Sequence, residues 1–240
     1  MRDTILRSLQ RRVGKIAQRG ERGQSMVEMA LAFPILLLVL AGTLEVGKYF
    51  NDYLTLLDST REAARYAADS DIALVDLTNH GDCNSDYYHQ AACLLQQNMY
   101  GLTFDKQTDD IVVSAVSMGT DGHVKYRFPR SCGDPAPPAG MYQLCDTLVT
   151  SSQQGWSFCQ HIVQTQGGSC APKTSLLSNA DIESRINTTT MPNTGLVVVE
   201  VYHVHNQFLG LIPPGLQFLP QQVMMHAYTI MPVPSAAPPS

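Results

Sequence analysis

One uncharged, apolar run near the N-terminus constrains this chain more than any other feature. Residues 29–44 carry no charged side chain, and Glu28 and Glu45 bound the run on either side. As a helix, residues 26–47 would extend about 33 Å, enough to cross a hydrocarbon core of about 30 Å. The run therefore predicts one transmembrane helix, which we place at residues 24–47.

The charges on the two sides of this span are asymmetric. Residues 1–23 carry seven arginine and lysine residues against Asp3 and Glu21, a net charge of +5, whereas Lys48 stands nearly alone just after the span. By the positive-inside rule, residues 1–23 form a basic cytoplasmic leader and the rest of the chain is translocated. The whole chain carries −5, so the chain without its leader carries −10. With no basic run outside the leader, nothing favours nucleic-acid binding.

Three interpretations of this N-terminus compete. A secretory signal peptide could be cleaved after Ala41 and release the rest of the chain, although Pro34 and Glu28 are atypical of such a segment. An uncleaved signal anchor explains the apolar run and the charges, but it gives Gly23 and Glu28 no role. A prepilin-type leader gives both a role, because its peptidase cuts after a glycine at the membrane face and prefers glutamate as the fifth residue of the mature chain. Cleavage between Gly23 and Gln24 would make Glu28 that fifth residue.

Further motifs carry a resemblance to a known family. Val27-Glu28-Met29-Ala30 follows the glycine, Pro34 lies within the span, and Arg61-Glu62-Ala63-Ala64-Arg65-Tyr66-Ala67 lies beyond it. Residues 20–70 thereby resemble the N-terminus of TadE-like proteins, the minor pseudopilins of Tad (Flp) tight-adherence pilus assembly systems, and residues 196–232 match more loosely. Major Flp pilins have Glu-Tyr in place of Glu28-Met29 and are far shorter, so the resemblance is to a minor protein. TadG-like membrane proteins share this N-terminal pattern and are an alternative.

The resemblance implies a location, a set of partners and a function. It implies a non-enzymatic, single-pass protein of the bacterial inner membrane, with its C-terminal domain outside the cytoplasm and a possible association with the pilus. Its implied role is assembly of a pilus used in adhesion or secretion, with other pilins or pseudopilins and the assembly platform as partners. Prepilin peptidase would cut between Gly23 and Gln24, and Glu28 would set the assembly register by pairing with a new α-amine. The resemblance implies no cofactor.

Two function hypotheses from other classes stand beside this one. The first is an unprocessed bitopic membrane protein whose disulfide-braced extracytoplasmic domain binds a cell-surface ligand. The second is a secreted metal-binding or hydrolytic domain that is released after Ala41. Processing of the leader separates the pseudopilin from the bitopic protein, and release from the membrane identifies the secreted domain.

Glu28 and Pro34 also have plainer explanations. A carboxylate within a hydrocarbon layer is costly, so Glu28 should be partnered or lie at the interface. It lies 17 residues before Glu45, about 26 Å along a helix, so the two glutamates could simply mark the two membrane faces. Pro34 removes one backbone hydrogen bond and can bend the span, or it can be tolerated there without any role in assembly.

The helix is expected to continue beyond the span as an extension over residues 48–70. Apolar and small residues recur there with alternating spacings of four and three, which is one face of an α-helix. This face comprises Val46, Phe50, Tyr53, Leu57, Thr60, Ala64 and Ala67, and the residues off it are Asn51, Asp52, Asp58, Glu62 and Asp69. The pattern predicts that the face packs against a globular domain.

Residues 71–232 are predicted to form an extracytoplasmic α+β domain. Strands are indicated at residues 110–117, 124–128, 195–205 and 223–233, and a turn at residues 120–122 joins the first two as a hairpin. Helices are indicated at residues 86–100 and 179–186, residues 129–175 are the least regular, and residues 233–240 are predicted to be a disordered tail. The fold class is therefore α+β: a long N-terminal transmembrane helix that continues into a pilin-like domain with a small antiparallel sheet.

All six cysteines follow the span, as Cys83, Cys93, Cys132, Cys145, Cys159 and Cys170. An even number on an exported domain favours disulfides over free thiols or a metal site. The sequence alone leaves the connectivity open, and the order along the chain suggests local pairs. We predict the pairs Cys83–Cys93, Cys132–Cys145 and Cys159–Cys170, which would brace the irregular region against its conformational entropy.

Three histidines form the only candidate metal site. His203 and His205 alternate on one predicted strand, and His226 on another strand could lie beside them, a set that would suit zinc or copper. Histidines on a sheet surface are more often simply solvated, so no metal is predicted. The sequence also lacks the G-x-S-x-G and H-E-x-x-H motifs and any glycine-rich phosphate loop. These absences favour a protein that is not an enzyme.

Overall fold

The computed structural model describes residues 2–70, 87–136, 145–186, 194–207 and 221–233. The chain divides into two compact units, one of Met1–Lys48 with Gln207–Gln217 and one of Tyr49–Asn206 with Phe218–Ser240. The first unit contains the predicted membrane span. The second unit contains most of the predicted helix extension and the folded domain.

The first helix, α1, extends over Arg2–Asp69. It begins within the leader, well before Gln24, where the sequence places the start of the span. Pro34 lies inside the helix and does not end it. Hydroxyl groups further along are satisfied within the helix itself, since Ser59 donates to the carbonyl of Thr55 at 2.7 Å, and Thr55 to that of Asn51 at 3.0 Å.

Among its described residues, the second unit adds three α-helices and seven strands to the last part of α1. The helices are α2 (Tyr87–Asn98), α3 (Phe158–Gln166) and α4 (Asn179–Arg185). The strands are β1 (Asp110–Met118), β2 (Val124–Phe128), β3 (Arg130–Ser131), β4 (Cys145–Asp146), β5 (Trp156–Ser157), β6 (Gly195–Asn206) and β7 (Gln222–Val233). The predicted α+β fold with an antiparallel sheet is confirmed. Val233, which the sequence placed both at the end of the last strand and at the start of the tail, belongs to β7. Residues 234–240 lie outside the described part of the chain.

The main sheet has the strand order β2-β1-β6-β7, and every neighbouring pair is antiparallel. The predicted hairpin of β1 and β2 is present, with Ala115 opposite Phe128. Strand β6 pairs with β7 along its whole length, from Gly195 opposite Val233 to Asn206 opposite Gln222. Strands β3 and β4 form a separate parallel pair.

The region predicted as least regular contains elements that local pattern does not reveal. Strand β5 pairs with β1 at Val112 and Val113 and leads directly into α3. Gly155, just before β5, has φ of 77° and a side chain there would meet Val112 at 2.6 Å, so only glycine suits this close approach. Trp156 is fully buried and stacks on Tyr88 of α2, with ring centroids 5.5 Å apart. Trp156 thus links the three short elements β5, α2 and α3.

The sheet separates two apolar clusters because successive side chains on a strand face opposite sides. The larger cluster includes Val197, Val199 and Val201 of β6, together with α2, Trp156 and the buried side of α1. The smaller cluster, on the opposite face, includes Leu196 and Val198 of β6 with Leu177 and Ile182. Strand β6 is buried on both faces, as expected for a central strand rich in β-branched residues.

The buried side of α1 within the second unit differs from the predicted face. Thr60, Ala64 and Ala67 are buried as predicted, but Phe50 is 58% exposed and Asp52 only 4% exposed. The buried side comprises Asp52, Leu56, Ser59, Thr60, Ala63, Ala64, Ala67 and Ala68. The prediction was wrong for Asp52 because a charge was taken to mark the solvent side, whereas a partner on the sheet accommodates this carboxylate.

Candidate functional site

The segment of α1 in the first unit exposes apolar side chains in every direction. Every residue from 25 to 40 is exposed, including Leu38 at 71%, Leu31 at 69% and Val39 at 65%. The most apolar 18-residue window of the described helix has a mean hydropathy of 2.2, and none of it is buried. Such a surface is typical of a helix that contacts lipid or other apolar helices. By length and composition, this helix can cross a membrane.

The residues predicted to take part in processing and assembly all lie on this helix. Gly23 and Gln24 lie within α1 near the end of the basic leader. Glu28 is exposed, one residue before the uncharged run, and Pro34 lies further along in the same run. All four residues lie in sequence order on one element, α1.

The motif of residues 61–67 is divided between the core and the surface. Its alanines Ala63, Ala64 and Ala67 are fully buried, which lets α1 approach the domain closely. Its charged residues point outward, where Glu62 and Arg65 line a cavity of about 510 Å³ at the end of the helix. The remaining cavity residues are Tyr66, Ala68, Asp69, Leu94 and Pro232. The alanine side of the motif therefore packs closely against the domain, and the opposite side carries the charged residues.

Two histidines of β6 each pair with a buried carboxylate. His205 Nδ1 lies 2.9 Å from Asp52 of α1, and His203 Nδ1 lies 2.7 Å from Asp109. Burial acts to raise the pKa of Asp109, but the His203 hydrogen bond and the amides of Asp105 and Val204 outweigh it and lower the pKa below its usual value. These pairs tie α1 and the start of β1 to the central strand.

The three histidines that could have formed a metal site do not lie on the same face of the sheet. His226 lies opposite Tyr202 on the neighbouring strand, so it faces the side of the sheet away from His203 and His205. There its Nε2 atom lies 2.9 Å from Glu200. Among the described residues, no group of three or more histidine, cysteine, aspartate or glutamate side chains could hold a metal ion.

Glu200 is the centre of a buried polar network on the second face of the sheet. It is fully buried and accepts hydrogen bonds from Ser175, the amide of Leu176 and the Tyr202 hydroxyl. Arg127 of β2 donates to the carbonyl of Leu177 at 2.6 Å. Burial lowers the pKa of Arg127, and the charge of Glu200 opposes this effect. The network fastens the segment before α4 to the sheet.

Asp110 makes a second fastening point at the start of β1. Its carboxylate accepts hydrogen bonds from Ser157 at 2.6 Å, the amide of Cys159 at 2.9 Å and the amide of Lys173 at 2.7 Å. Burial raises the pKa of Asp110, and these hydrogen bonds only partly offset the effect. Asp110 thus holds both ends of the loop that Cys159 and Cys170 close.

The structure joins two of the three predicted cysteine pairs. Cys132 bonds Cys145 with Cα atoms 4.8 Å apart, and Cys159 bonds Cys170 with Cα atoms 5.9 Å apart. Both distances are ordinary for disulfides. Cys83 lies outside the described residues, so its pairing with Cys93 stays a prediction.

Further polar side chains contact residues that are distant in sequence. Ser175 and His226 both contact Glu200. His161, which the sequence analysis did not single out, contacts Asp146 at 2.6 Å and the carbonyl of Ser157 at 2.7 Å while it is 2% exposed. These contacts join residues that are distant in sequence, so no local motif predicts them.

Comparison with known proteins supports the resemblance of the N-terminal segment. The model of the family described as TadE-like protein matches residues 23–65. No curated protein and no solved structure shows significant similarity to the chain. Residues 23–65 therefore carry the TadE-like pattern, and together with the exposed apolar helix they indicate a membrane protein related to Tad pilus systems. TadE-like proteins are pilus components and not a family of enzymes.

Proposed function

We propose that this chain is a minor pseudopilin of a Tad (Flp) pilus assembly system, anchored in the bacterial inner membrane by residues 24–47. The observation that carries the proposal is that two features coincide at the same residue. The family match begins at Gly23, where the basic leader gives way to an apolar helix whose side chains are exposed all round. A basic leader, a glycine and a lipid-compatible helix in that order are what a prepilin peptidase substrate requires.

Each N-terminal residue has one role in this proposal. The leader remains in the cytoplasm, prepilin peptidase cuts between Gly23 and Gln24, and the α-amine of Gln24 becomes the new terminus. Glu28 lies about one turn from that amine, where its carboxylate pairs with the amine of a neighbouring subunit and sets the axial register. Pro34 allows the span to bend within a bundle of helices.

The second unit acts as a rigid extracytoplasmic domain rather than an enzyme. Buried hydrogen bonds to Asp110 and Glu200 fix the irregular region to the sheet, and the disulfides Cys132–Cys145 and Cys159–Cys170 cross-link that region internally. Such bracing suits a protein exposed outside the cytoplasm, where disulfides persist. Other pilins or pseudopilins and the assembly platform are the partners, and the pilus serves adhesion or secretion.

The N-terminal residue of the protein recovered from its native membrane tests this proposal. Terminal peptide mapping is expected to find Gln24 as the first residue, and the Gly23→Ala variant is expected to retain the leader. Gly20→Ala is the matched control, since it changes a nearby glycine of the leader and leaves the cleavage position intact. A chain that retains Met1 would instead be the unprocessed bitopic protein, and a start near Gly42 would identify a secreted domain.

A second experiment separates the two glutamates. Glu28→Gln is expected to be processed normally and to be lost from detergent-resistant complexes with other pilins, because its amide cannot pair with an amine as an ion. Glu45→Gln, at the other end of the run, is expected to assemble normally. Equal behaviour of the two variants would reduce Glu28 to a marker of the membrane face.

A further inference from the structure

One buried carboxylate lies at the base of a disulfide-closed loop in the second unit. Asp110, the first residue of β1, is fully buried. Its Oδ1 atom accepts from the amides of Ile111 at 2.8 Å and Cys159 at 2.9 Å. Its Oδ2 atom accepts from the Ser157 hydroxyl at 2.6 Å and the Lys173 amide at 2.7 Å. Cys159 and Lys173 lie on opposite sides of the loop, so Asp110 connects its ends without a covalent bond.

The outgoing side of the loop is fixed by contacts of Ser157. Strand β5 pairs Ser157 with Val112 of β1. The Ser157 hydroxyl donates to Asp110 and accepts from the amide of Gln160, so it also caps the first turn of α3. Cys159, the second residue of α3, is fully buried. The sheet and the helix cap therefore set the position of Cys159 independently of its disulfide.

The returning side of the loop is fixed by separate contacts. Gly167 and Gly168, with φ of 69° and 120°, allow the chain to reverse after α3. The amide of Lys173 then donates to the buried carboxylate, and the amide of Ser175 donates to the carbonyl of Gln154 at 2.8 Å. Both sides of the loop are therefore held by hydrogen bonds that do not pass through the disulfide.

The hydrogen bonds of Asp110 affect how readily the two thiols meet. Cys159 and Cys170 are 11 residues apart in sequence, and closing a loop in a flexible chain costs conformational entropy. Their Cα atoms lie 5.9 Å apart, an ordinary distance for a disulfide. The donors to Asp110 are backbone amides and a hydroxyl, none of which depends on the oxidation state of sulfur. Groups that are held in place before they react behave as though their local concentration were high.

We propose that Asp110 is a positioning residue for this disulfide. It holds Cys159 and Cys170 within reach of each other before they are oxidised, and it keeps the loop closed when the bond is reduced. All of these residues belong to the second unit, so the inference goes beyond the proposed function and does not depend on processing of the leader.

The oxidation proceeds by thiol–disulfide exchange with a small disulfide, for which oxidised glutathione is the probe. Cys170 is half-buried and Cys159 is fully buried, so the Cys170 thiolate attacks glutathione first and releases one reduced glutathione. The Cys159 thiolate then attacks Sγ of Cys170, forms the protein disulfide and releases the second glutathione. Two electrons pass from the cysteines to glutathione, and the protons of the two cysteine thiols pass to the glutathione thiols.

The oxidation equilibrium of the full-length protein in detergent tests this inference. The protein is equilibrated with reduced and oxidised glutathione, free thiols are alkylated, and each cysteine is quantified by peptide mass spectrometry. Asp110→Asn is expected to lower the equilibrium constant for the Cys159–Cys170 bond about tenfold, because an amide has one acceptor oxygen where a carboxylate has two. An unchanged equilibrium constant would overturn the inference.

Two controls distinguish positioning from a general loss of stability. Asp109→Asn alters the neighbouring buried carboxylate, which contacts His203 rather than the loop, and is expected to leave the Cys159–Cys170 equilibrium unchanged. In the Asp110→Asn molecules themselves, the disulfide of Cys132 should shift less than about twofold, because Asp110 receives no hydrogen bond from that segment within the described part of the chain. Equal losses at both disulfides, in a variant that keeps its near-UV circular dichroism, would contradict the positioning role.

A second measurement does not require any change at Asp110. The double variant Cys159→Ala with Cys170→Ala removes only this disulfide. Fragment-resolved hydrogen exchange is expected to show the amides of residues 159 and 173 still protected, within about tenfold of the wild type. Exchange of both amides at the rate of an unfolded chain would show that the disulfide, and not Asp110, keeps the loop closed. This measurement decides alone if Asp110→Asn loses its near-UV circular dichroism.

Discussion

Residues 25–47 and residues 49–69 belong to one helix but have opposite relations to their surroundings. In the first segment, apolar residues such as Leu38 are exposed on all sides. In the second segment, Leu56 and Ala63 are fully buried while Phe50 and Leu54 are more than half exposed. A helix that is apolar all round needs only an apolar environment, whereas a half-buried helix needs a specific partner for each residue of one side.

The polar residues of the two segments show the same contrast. Thr43 donates to the carbonyl of Val39 within its own helix. In the second segment, Asp52 reaches His205 and Thr60 reaches Thr229, both on the sheet. Pairs of substitutions can therefore measure how much the stability of the domain depends on α1. In each pair, the two substitutions lie either in different segments or on opposite sides of the second segment.

The largest effect is expected from removal of the buried carboxylate of Asp52. Asp52→Ala would leave His205 buried without this partner, and loss of one member of a buried pair costs about 3–5 kcal/mol. Asp58→Ala is the control, because Asp58 pairs with Arg61 on the exposed side, where an ion pair contributes little. Urea unfolding of the full-length protein in detergent, followed by near-UV circular dichroism, measures both. Similar midpoints for the two variants would contradict the assignment of Asp52 to the buried side.

A core leucine is expected to have the next largest effect. Leu56→Ala removes a fully buried side chain and should lower the free energy of unfolding of the domain by about 2–5 kcal/mol. Leu38→Ala, the same substitution in the exposed segment, should leave that free energy unchanged. The same unfolding measurement compares them, and a loss with Leu38→Ala would show that the two segments do not differ as described.

Asp109 and Asp110 are expected to affect the pH dependence of stability in opposite directions. The pKa of Asp109 is lowered, so its contribution is fully present above the unfolded value of about 3.9 and is lost as the pH falls through the folded value. The pKa of Asp110 is raised by burial, so the folded state binds its proton more tightly and gains stability as the pH falls toward about 3.9. Both carboxylates lie at the start of β1, beside the strand that α1 contacts through His205.

Unfolding midpoints between pH 6 and pH 3, about the range in which an aspartate titrates, test these signs. Asp109→Asn should flatten the loss of stability on acidification, and Asp110→Asn should steepen it, because the opposing gain is removed. Changes of the same sign in the two variants would contradict the opposite environments of these neighbours.

The smallest effect is expected from one hydroxyl. Thr60→Val removes the hydrogen bond to Thr229 and keeps the shape of the side chain, which should cost about 1 kcal/mol. Thr43→Val removes a hydroxyl that bonds only within the exposed segment and should not alter unfolding of the domain. Equal effects would mean that the contact between Thr60 and Thr229 contributes nothing to the docking of α1.

The sequence pattern predicted secondary structure well where the residues of a single short segment determine it. The β-branched run of β6, the turn between β1 and β2 and the periodicity of α2 each lie in a short stretch, and each was predicted within a few residues. Strand β5 and helix α3 were missed, because Trp156 and its neighbours form them only in contact with β1 and α2. Whether His226 lies beside His203 could not be decided from the sequence, because the register between two strands decides which face each residue occupies and is not visible in one strand.

The sequence by itself indicated the candidate membrane helix and the TadE-like resemblance. Residues 23–65 combine a glycine, an early glutamate and an uncharged apolar run, and the length and composition of that run favour an apolar environment. The tertiary structure decided which charges are buried. Asp52, Asp109, Asp110 and Glu200 look like surface residues in sequence, and each is buried because a histidine, a hydroxyl group or backbone amides from distant elements meet its carboxylate. A carboxylate is accommodated inside a protein only by such partners, and the fold alone brings them together.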